Sequence, residues 1–575
     1  MKSSGPSGST TRAEVGGSAA EWIAAPVPEG TADLERVGLP RWMAVLLARR
    51  GVTDEIGARS FLVPSLDQLH DPFLLHGMDA AVERLLAARE RNEKIAIVGD
   101  YDVDGVTATA LLLAVLKHCG CTAVPIVPHR LREGYGFQPV HVERARAEGC
   151  SMIVTADCGS SAVGAVEEAL AAGLAVVVTD HHLPGGELPA GTVHINPRQT
   201  ACDYPFQDLA AAGLALKLCL AFARRCGREL DPAPLLRIAC LGTIADLVPL
   251  RGENRVIAAL GLEALATVRS AGLKALLQQA GVKAPYSAAD VGFRIGPRIN
   301  AAGRLHEAER ALELLLSRDP KRSAELALEL DSLNRDRQAE EARVVEEAFA
   351  LFADRRPLPP ILVGWSAEWH KGVVGIAAGR IAKELHRPTL LFAVEDGVAG
   401  GSGRSIHGLE LHAFLLRWKE RMIRFGGHAQ AVGLTVHLEE LEALRQEWEA
   451  AGAAWPADLL ARRHEYELEL APNRLTAKLV AQLSRLEPFG MGNPRPLVRT
   501  GPLRLEGAPR LFGNGHLSGR ARGEDGAPLD LVGWGWQERA AGLEGTFEAL
   551  GWIEHDDYRG GPCLRLLDCR PAGNP

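Results

Sequence analysis

The sequence contains no run of about 18 consecutive apolar residues, so it offers no candidate for a membrane-spanning helix. Its ten cysteines include no CxxC pair and no regular spacing, which argues against a disulfide framework and fits a reducing, cytoplasmic setting. Neither a Gly-Lys-Ser/Thr phosphate loop nor a dinucleotide-binding glycine fingerprint is present. The first 20 or so residues are rich in Ser, Gly and Thr and lack the apolar core of a signal peptide, and we expect a disordered tail over residues 1–30.

An excess of positive charge is also missing. The net charge of −8 gives no support to nucleic-acid binding, but it does not exclude it, because a local basic groove and bound cations decide that question. The 575 residues, with 47% hydrophobic and 24% charged content, are ordinary for a globular protein of several domains.

One stretch near the start carries an unusual density of acid. The apolar run Ile95–Val98 is followed by Asp100, Asp102 and Asp104, and Val106–Lys117 then has the composition of a helix. Three carboxylates this close repel one another and raise one another's pKa unless a cation lies among them. Hard oxygen ligands of this kind suit Mg²⁺ or Mn²⁺. The stretch therefore predicts one part of a metal site.

Strands and helices alternate from Lys94 onward. Short apolar runs rich in β-branched residues are typical of buried parallel strands. They are separated by helical segments that end near a glycine, and they cover Ile95–Val98, Ala123–Val127, Met152–Thr155 and Ala175–Thr179. The pattern predicts a doubly wound α/β sheet, in which ligands bind at the carboxyl ends of the strands.

Further acidic and histidine residues stand at those ends. Asp157 follows the third run, and Asp180, His181 and His182 follow the fourth. Each Asp alone could cap the next helix, but three strands ending in Asp, one beside a His pair, favour a shared site. Asp246 is a lone charge in an apolar stretch, so it must be paired, protonated or bound to metal, with a helix-terminal Asp as the alternative.

The acidic turn also matches the first six positions of a calcium-binding EF-hand loop. The twelfth position of such a loop needs a bidentate Glu, and here it is Leu111. A strand, not a helix, is predicted before the turn. The EF-hand interpretation is therefore rejected.

These motifs resemble those of the DHH phosphoesterase superfamily, which are Asp100–Gly105, Thr155–Gly159, Asp180–His182 and Gly242–Leu250 in this sequence. The segment Gly426–Gly433 resembles the Gly-Gly-His motif of the DHHA1 domain that follows in many members. The order of motifs over roughly residues 40–570 is similar to that of the RecJ family of single-stranded-DNA-specific exonucleases. Further segments support this similarity, namely Pro128–Gly136, Pro297–Leu305, Gly401–Ser405 and Glu487–Pro496.

The resemblance implies two Mn²⁺ or Mg²⁺ ions that support hydrolysis of phosphodiester bonds. The implied metal ligands are Asp102, Asp104, Asp157, His181 and Asp246, with Asp100 and Asp180 in or near the first shell. Asp100 would orient ligands or a water, His182 would contact the scissile phosphate, and His428 would contribute from the DHHA1 side. For His428 an ordinary packed histidine is the alternative.

The resemblance also implies 5′→3′ degradation of single-stranded DNA to 5′-mononucleotides, in DNA repair and recombination. Arg130, Ser402 and Arg404 would hold the terminal 5′-phosphate, since arginine binds phosphate bidentately. Arg298, Asn300 and Arg304, in a loop rich in Gly and Ala, would follow the DNA backbone. The implied partners are single-stranded-DNA-binding protein and a RecQ-type helicase, for which the sequence has no motif, and the chain would be a monomer.

We expect an N-terminal helical segment at 31–93, a DHH domain at 94–318, a connecting helix at 319–357, a DHHA1 domain at 358–458 and an OB-fold barrel at 459–575. Lys321–Arg356 lacks Gly and Pro, and its polar middle, Asn334–Glu341, predicts an exposed bridge. The predicted strands of the DHHA1 domain are Ile361–Trp365, Thr389–Val394 and Ala431–His437. Those of the barrel are Leu503–Gly507, Gly515–Ala521, Leu529–Trp534, Phe547–Ile553 and Cys563–Cys569.

Four aromatic residues of the barrel are candidates for stacking on bases, with a core position as the alternative for each: Phe512, Trp534, Trp536 and Trp552. Two other functions remain open at this level. One is a DHH hydrolase of short oligonucleotides, cyclic dinucleotides or pyrophosphate, and the long helix with a barrel argues against it. The other is a non-catalytic scaffold protein of replication, whose signature would be lost metal ligands.

Overall fold

The computed structural model describes residues 20–129, 133, 136–305, 308–556 and 559–573, and of residues 304 and 305 only the backbone. Strand β1 (Glu21–Ala24) pairs in parallel with the segment Arg463–Tyr466. The expectation of disorder over residues 1–30 is therefore wrong for residues 21–24. Long-range pairing orders them, and the indole Nε1 of Trp22 also donates to Asp568 at 2.8 Å. Such contacts leave no local signal in the sequence.

The N-terminal helices divide between two cores. They are α1 (Thr31–Arg36), α2 (Arg41–Arg49), α3 (Glu55–Leu62) and α4 (Met78–Glu90). Residues of α1 to α3, such as Leu34 and Leu47, share a core with the C-terminal barrel. Residues of α4, such as Leu85, join the core of the first sheet instead.

The first sheet is parallel throughout, in the order β3-β2-β4-β5-β6. Its strands are β2 (Lys94–Gly99), β3 (Thr122–Ile126), β4 (Met152–Ala156), β5 (Ala175–Thr179) and β6 (Val193–Ile195). The first four are the predicted strands, and the three-residue β6 is too short to show a pattern. Ile95 and Ile97 lie in the core that also contains residues of α4. Ala96 and Val98 lie in a second core on the opposite face of the sheet. The predicted doubly wound sheet is confirmed.

Helices cover both faces of this sheet. Those between its strands are α5 (Val103–His118), α6 (Pro139–Ala147) and α7 (Val163–Ala171). A helical layer follows, formed by α8 (Ala211–Arg225), α9 (Pro232–Ala245), α10 (Gly252–Leu265), α11 (Ala271–Ala280), α12 (Ala288–Asp290), α13 (Gly296–Leu305) and α14 (Glu309–Leu316). Helices α8 and α9 pack directly on α5. This packing brings the start of α8 and the end of α9 next to the acidic turn before α5.

A single helix, α15 (Pro320–Ala353), joins the two halves of the molecule. Its 34 residues give a length of about 51 Å at 1.5 Å per residue. The expectation of an exposed middle is wrong on one face, because Asn334 and Arg337 are only 2% and 8% exposed. The guanidinium of Arg337 donates to Asn334 and Glu341, so hydrogen bonds within the helix hold this polar group on its buried face.

The second sheet has the order β10-β11-β9-β8-β7. Its strands are β7 (Leu362–Ser366), β8 (Thr389–Glu395), β9 (Val398–Arg404), β10 (Arg424–His428) and β11 (Ala431–His437), and its helices are α16 (Lys371–Leu385), α17 (Leu411–Leu415) and α18 (Leu438–Gly452). The predictions found β7, β8 and β11. They missed β9 and β10, because both strands contain several glycines, which are rare in strands.

The C-terminal strands close into a barrel. After β12 (Arg463–Tyr466), β13 (Leu468–Glu469) and α19 (Ala477–Leu483), they are β14 (Val498–Leu505), β15 (Arg510–Phe512), β16 (His516–Gly523), β17 (Pro528–Gly533), β18 (Thr546–Asp556) and β19 (Gly561–Pro571). The order β14-β18-β19-β17-β16 returns to β14 through a β14–β16 pairing. Only the β17–β19 contact within this ring is parallel. The predicted five-stranded OB-type barrel is confirmed.

Candidate metal centre

The carboxyl ends of β2, β4 and β5 bring the predicted acids together. Asp100, Asp157 and Asp180 each follow directly on one of these strands, which are neighbours in the sheet. Asp157 has a left-handed backbone (φ 69°), which is uncommon for a residue with a side chain. Gly105 must lack a side chain, since a Cβ there would lie 2.6 Å from the carbonyl oxygen of Asp100. The acidic turn is therefore folded back tightly on itself.

Helix termini fix two further carboxylates. The oxygens of Asp104 accept the main-chain N–H groups of Ala211 and Ala212, at 2.7 and 2.8 Å, where α8 begins. Asp246 is the residue on which α9 ends. Gly242 allows α9 to approach, because a Cβ at this position would come within 2.5 Å of Asp104 Oδ1. The predicted acids thus come from separate elements and meet at one point.

His181 lies at the centre of this cluster. Its Nε2 is 3.2 Å from Asp157 Oδ1, 3.5 Å from Asp246 Oδ2 and 3.8 Å from Asp104 Oδ2. Potential ligand atoms lie within 4.8 Å of one another in three overlapping groups: Asp104, His181 and Asp246; Asp157, His181 and His182; and Asp100, Asp102 and Asp157. Asp157 belongs to two of these groups, so the arrangement offers two adjacent ligand sets that share a carboxylate.

The donor atoms fit hard divalent cations. Asp157 Oδ1 and His181 Nε2 are buried and have no hydrogen-bond partner among the described residues. Buried polar atoms are normally paired, so these two require a ligand that the protein alone does not supply. Carboxylate oxygens with an imidazole nitrogen suit Mn²⁺ or Mg²⁺.

The electrostatics lead to the same conclusion. Burial, and then the neighbouring acids, raises the pKa of Asp157 well above its usual range. The same causes raise the pKa of Asp104 to about 7 and that of Asp246 to about 9. Burial, together with the positive charge of His182, lowers the pKa of His181 to about 3, so its imidazole is neutral and available as a ligand. The cluster holds more negative charge than it can keep ionised without cations.

Asp180, a predicted metal ligand, is hydrogen-bonded to both histidines of the His pair and to Ser160. Its Oδ1 accepts from the N–H of His181, the N–H of His182 and the Nδ1 of His182, at 2.8, 3.1 and 2.7 Å. Its Oδ2 accepts the N–H of Ser160 at 2.9 Å. Asp180 belongs to none of the three ligand groups. The two oxygens together accept four hydrogen bonds, which supports a role in holding the His pair, and metal ligation by Asp180 stays a prediction.

The sequence predicts Asp100 in or near the first metal shell, with orientation of the ligands or of a water as its favoured role. In the structure it shares a ligand group with Asp102 and Asp157. Asp102 is in addition the cap of α5, since its side chain accepts the N–H of Gly105 at 3.0 Å.

His182 is the protonatable group at the edge of the cluster. Its side chain is 44% exposed, and Nδ1 faces Asp180. Burial alone would lower the pKa of His182, but the hydrogen bond and charge of Asp180 outweigh this and raise it. Burial would likewise raise the pKa of Asp180, yet the hydrogen bond from His182 and its charge hold it at about 2. The pair therefore favours a charged imidazolium.

Ser402 and Arg404 lie together on β9. A guanidinium nitrogen of Arg404 donates to the hydroxyl of Ser402 at 2.9 Å. Helix α16 packs closely on both, since a Cβ at Gly375 would meet Ser402 Oγ at 2.9 Å. His428 on β10 is exposed and lies in the same cross-strand row as Arg404, with Ala431 of β11 between them.

The next cross-strand row on the same face of this sheet contains Ser402 and two glycines. Ser402 stands opposite Gly433, and Gly433 stands opposite Gly426. Both glycines are exposed, neither has a positive φ, and a Cβ on either would meet nothing within 4 Å. Neither backbone geometry nor packing requires glycine here, so the bare sheet leaves open space beside Ser402. We refer to Ser402, Arg404, Gly426, His428 and Gly433 as the glycine-floored face.

Arg298 and Asn300 lie on a helix, α13, and not in the predicted loop. Close packing overrides the loop-like composition, since Gly303 fits against the carbonyl oxygen of Tyr101. Arg298 is committed to Asp331 of α15, with nitrogen–oxygen distances of 3.0 and 2.7 Å. Asn300 Oδ1 accepts the N–H of Val103 at the start of α5. Arg130 and the side chain of Arg304 lie outside the described residues.

These contacts connect the two parts of the site. Helix α13 touches the acidic turn through Asn300 and Gly303, and it also packs against α15 and α16. Helix α16 in turn contacts Ser402 and Arg404. The metal cluster and the glycine-floored face are thus joined through packed helices.

Two residues near the cluster escaped the sequence reasoning. Ser160 and Asn196 are completely buried and hydrogen-bonded to each other. Asn196 directly follows β6, so it is one more polar residue at a strand end of this sheet. Asp157 was predicted because it follows a recognisable apolar strand. Asn196 was missed because the three-residue β6 is too short to show a strand pattern.

The barrel aromatics fall into different environments. Trp536 is 3% exposed and belongs to the core, and Trp552 is covered by the guanidinium of Arg565. Trp534 is 56% exposed and meets Phe512 and His516 edge to face. Phe512 and Trp534 line a cavity of about 500 Å³ that also includes Arg510 and Arg559.

Comparison with known families and proteins agrees with this division of the chain. Family models match in three places: the DHH family, N-terminal domain, at residues 94–243; the DHHA1 domain at 359–452; and the RecJ OB domain at 466–567. Among the described residues, no helix is both long and apolar enough to cross a membrane.

Curated relatives share the whole arrangement. The chain is 39% identical over 514 residues to the single-stranded-DNA-specific exonuclease RecJ of Dickeya dadantii, covering 85% of this chain and 88% of the relative. To the same-named protein of Escherichia coli it is 38% identical over 518 residues, with 86% and 89% covered. To that of Bacillus subtilis it is 36% identical, covering 88% of this chain but 65% of the longer relative.

Solved structures extend the likeness to the fold and the metals. A crystal structure of RecJ with Mn²⁺ from Thermus thermophilus superposes with a TM-score of 0.82 at 30% identity, covering 96% of this chain and 80% of that chain. A second RecJ structure, bound to manganese, gives a TM-score of 0.59 at 35% identity, covering 68% of this chain and 97% of that chain.

Proposed function

The chain belongs to the RecJ family of single-stranded-DNA-specific exonucleases, and on this basis we propose that it removes 5′-mononucleotides stepwise from the 5′ end of single-stranded DNA, in repair and recombination. The observation that carries the proposal is the cluster around His181, where five aspartates meet and Asp157 Oδ1 and His181 Nε2 have no hydrogen-bond partner among the described residues. Among the described residues, nothing favours the small-phosphate hydrolase or the non-catalytic scaffold.

We propose that two divalent cations occupy the two ligand sets. One set is Asp104, His181 and Asp246, and the other is Asp100, Asp102 and Asp157. Because Asp157 Oδ1 also lies 3.2 Å from His181 Nε2, we propose that Asp157 serves both cations. When bound, a cation pair would neutralise the carboxylates and polarise the scissile phosphate and the attacking water. The protein's part is to hold the ligands rigidly, through the N–H groups of α8 and the close approach of α9.

His182 is proposed to contact the scissile phosphate. Its Nδ1 faces Asp180, which turns Nε2 away from that carboxylate. The raised pKa keeps a proton on the ring, so the imidazolium can donate to a phosphate oxygen and stabilise developing negative charge. In this proposal Asp180 supports the His pair, because its oxygens are engaged with those histidines and Ser160.

We propose that the glycine-floored face holds the 5′ end of the strand. Arg404 and Ser402 would bind the terminal phosphate, with Arg130 as a third contact and His428 two strands away in the row of Arg404. Gly426 and Gly433 would let the sugar and phosphate lie directly on the sheet, which explains glycines that the fold itself does not require.

Arg298 and Asn300 have a revised role. Instead of following the DNA backbone, they would fix α13 between the acidic turn and the connecting helix, since their side chains are engaged there. Contact with the DNA backbone stays a proposal for Arg304 alone.

The barrel is proposed to hold the single strand beyond the active site. Trp534 offers an exposed ring and Phe512 a half-buried one beside Arg510 and Arg559, a combination typical of base stacking with backbone neutralisation. Trp536 is buried and not available for this role, and Trp552 is the weaker candidate because Arg565 lies over its ring.

The remaining organisation is proposed on family grounds. The domain boundaries would be those stated for the sequence, which enclose the three matched ranges. The chain would act as a monomer in the cytoplasm, where its unpaired cysteines are stable. Its proposed partners are single-stranded-DNA-binding protein and a RecQ-type helicase.

The test is a digest of single-stranded and duplex DNA labelled at either the 5′ or the 3′ end, with Mn²⁺, Mg²⁺ or a chelator. We expect immediate release of labelled mononucleotide from 5′-labelled single strands with either metal, and none with chelator. Immediate release from the 3′ label, or full activity with chelator, would contradict the proposal.

A further inference from the structure

His182 is anchored by a closed ring of hydrogen bonds. Its Nδ1 meets Asp180 Oδ1 at 2.7 Å, and Asp180 Oδ2 accepts the N–H of Ser160 at 2.9 Å. The hydroxyl of Ser160 accepts from Asn196 Nδ2 at 2.8 Å. The same Nδ2 donates to the main-chain carbonyl of His182, also at 2.8 Å. The ring therefore holds both the imidazole and the backbone of His182.

The two outer members of this ring have no access to solvent. Ser160 and Asn196 are both 0% exposed. Asn196 Oδ1 accepts the N–H of Arg198 at 2.8 Å, which fixes the orientation of the amide. His194 Nε2 lies 2.9 Å from the hydroxyl of Ser160 and completes the surroundings of that oxygen. An arrangement with every polar group used has one preferred geometry.

We propose that Asn196 and Ser160 are positioning residues that hold His182 in the orientation needed at the scissile phosphate. This inference rests on the proposed role of His182. The His182 side chain is 44% exposed at the edge of the cluster, so local packing alone does not hold its ring. Groups behind a catalytic side chain that fix its angle commonly contribute as much as direct contacts.

The alternative is that Asn196 only stabilises the end of β6. Both views predict a weaker enzyme when Asn196 is removed, so a simple loss of activity does not separate them. They differ in what happens when His182 is already absent. A residue that acts through His182 then has nothing left to position, whereas a structural residue still lowers activity.

The experiment is a double-mutant cycle with Asn196→Ala and His182→Ala, on the full chain with saturating Mn²⁺ and a 5′-phosphorylated single strand. We expect Asn196→Ala to lower kcat by about 10–100-fold, with KM for DNA and half-saturation by Mn²⁺ unchanged. In the His182→Ala background it should cause no further loss. Ser160→Ala should behave alike with a smaller effect, and Ser160→Thr should retain activity because it keeps the hydroxyl.

Gln199→Ala is the matched control. It removes a hydrogen bond to the carbonyl of His194 at 2.9 Å, on the same segment, but leaves the ring intact. Its kcat should stay near that of the wild type.

Equal fold-losses from Asn196→Ala in both backgrounds would overturn the positioning role. Wild-type turnover of His182→Ala would instead refute the proposed function of His182, so the two failures are distinguishable. Should Asn196→Ala fail to fold, Ser160→Ala carries the same cycle, because its main-chain N–H to Asp180 is kept.

Discussion

The metal cluster around His181 and the glycine-floored face differ in what they lack: the cluster lacks positive charge, and the face lacks side chains. Around His181, buried carboxylates face one another at short distances, and burial with mutual repulsion raises the pKa of Asp104 and Asp246. On the glycine-floored face, Gly426 and Gly433 lie exposed with no neighbour where a side chain would be. The cluster around His181 has more negative charge than it can keep ionised. The glycine-floored face has open space where side chains would ordinarily lie.

Unbalanced charge and unfilled space are two different structural signs of a binding site. Cations explain the first region, because they supply the charge that the folded chain lacks. The proposed DNA strand would account for the second, because glycines without side chains allow a ligand to approach the sheet closely. Substitutions in one region should therefore change its own property, metal-dependent turnover or DNA binding, and leave the other region intact.

The largest effect is expected from the charged region. Asp157→Ala removes the carboxylate shared by both ligand sets, so turnover should fall by at least about 1,000-fold, to the limit of detection. Binding of single-stranded DNA in the absence of Mn²⁺ should persist, because the glycine-floored face and the barrel are intact. Activity assays and fluorescence anisotropy measure the two. Near-wild-type turnover with Mn²⁺ would contradict the metal assignment.

The next effect concerns the choice of DNA end. Arg404→Ala should weaken the use of 5′-phosphorylated ends by about 10–100-fold, the range of one or two charge-assisted hydrogen bonds. Ends bearing a 5′-hydroxyl should be affected much less. Arg424→Ala is the matched control, because it lies on the same face two rows away. Equal losses on both kinds of end would argue against the phosphate pocket.

A third prediction separates open glycines from packed ones. Gly433→Ala should fold normally, because its Cβ would meet nothing, yet KM for DNA should rise by about three- to tenfold as the strand is displaced. Gly401→Ala, on the neighbouring strand, would place a Cβ 2.3 Å from the ring of Phe392 and should lower the melting temperature. If both variants lost stability alike, the open space would be unrelated to DNA.

The metal-free protein should respond to pH in a direction set by its carboxyl pKa values. Asp104 and Asp246 have a folded-state pKa of about 7 and about 9, above the ordinary value near 4. The folded state then binds more protons than the unfolded state, so stability should fall as pH rises from about 4 to about 9. Melting curves in chelator would check this, and Asp246→Asn should flatten the slope.

The smallest effect is expected in the barrel. Trp534→Ala should raise KM for long single strands by about two- to fivefold while kcat stays constant, since one stacking contact is lost. Trp536→Phe, in the core, should leave KM unchanged. Point variants are preferable to removing residues 460–575, because the barrel shares its core with α1 to α3. An unchanged KM for Trp534→Ala would remove the stacking role.

The sequence predicted the cluster around His181 far better than the strands of the glycine-floored face. Asp100, Asp157 and Asp246 stand out because charge is rare at the ends of apolar runs, and a parallel sheet brings strand ends together. β9 and β10 were missed because their glycines remove the strand signal. One of these glycines, Gly426 on β10, also belongs to the glycine-floored face.

Other misses arose where tertiary contacts decide. Arg298 and Asn300 lie on a helix despite Gly and Ala around them, because Gly303 packs against Tyr101. Asp180 resembles Asp157 in its sequence setting, and its hydrogen bonds to Ser160 and His182 are visible only in the folded chain. No local pattern carries that information.

The central claim is that the cluster around His181 holds two cations. The most direct test is the number of Mn²⁺ ions bound per chain, measured by isothermal titration with the wild type and with Asp157→Ala. We predict two ions for the wild type and weakened binding of both in the variant, because the shared carboxylate is lost. No Mn²⁺ binding by the wild type, or identical binding by the variant, would contradict the account.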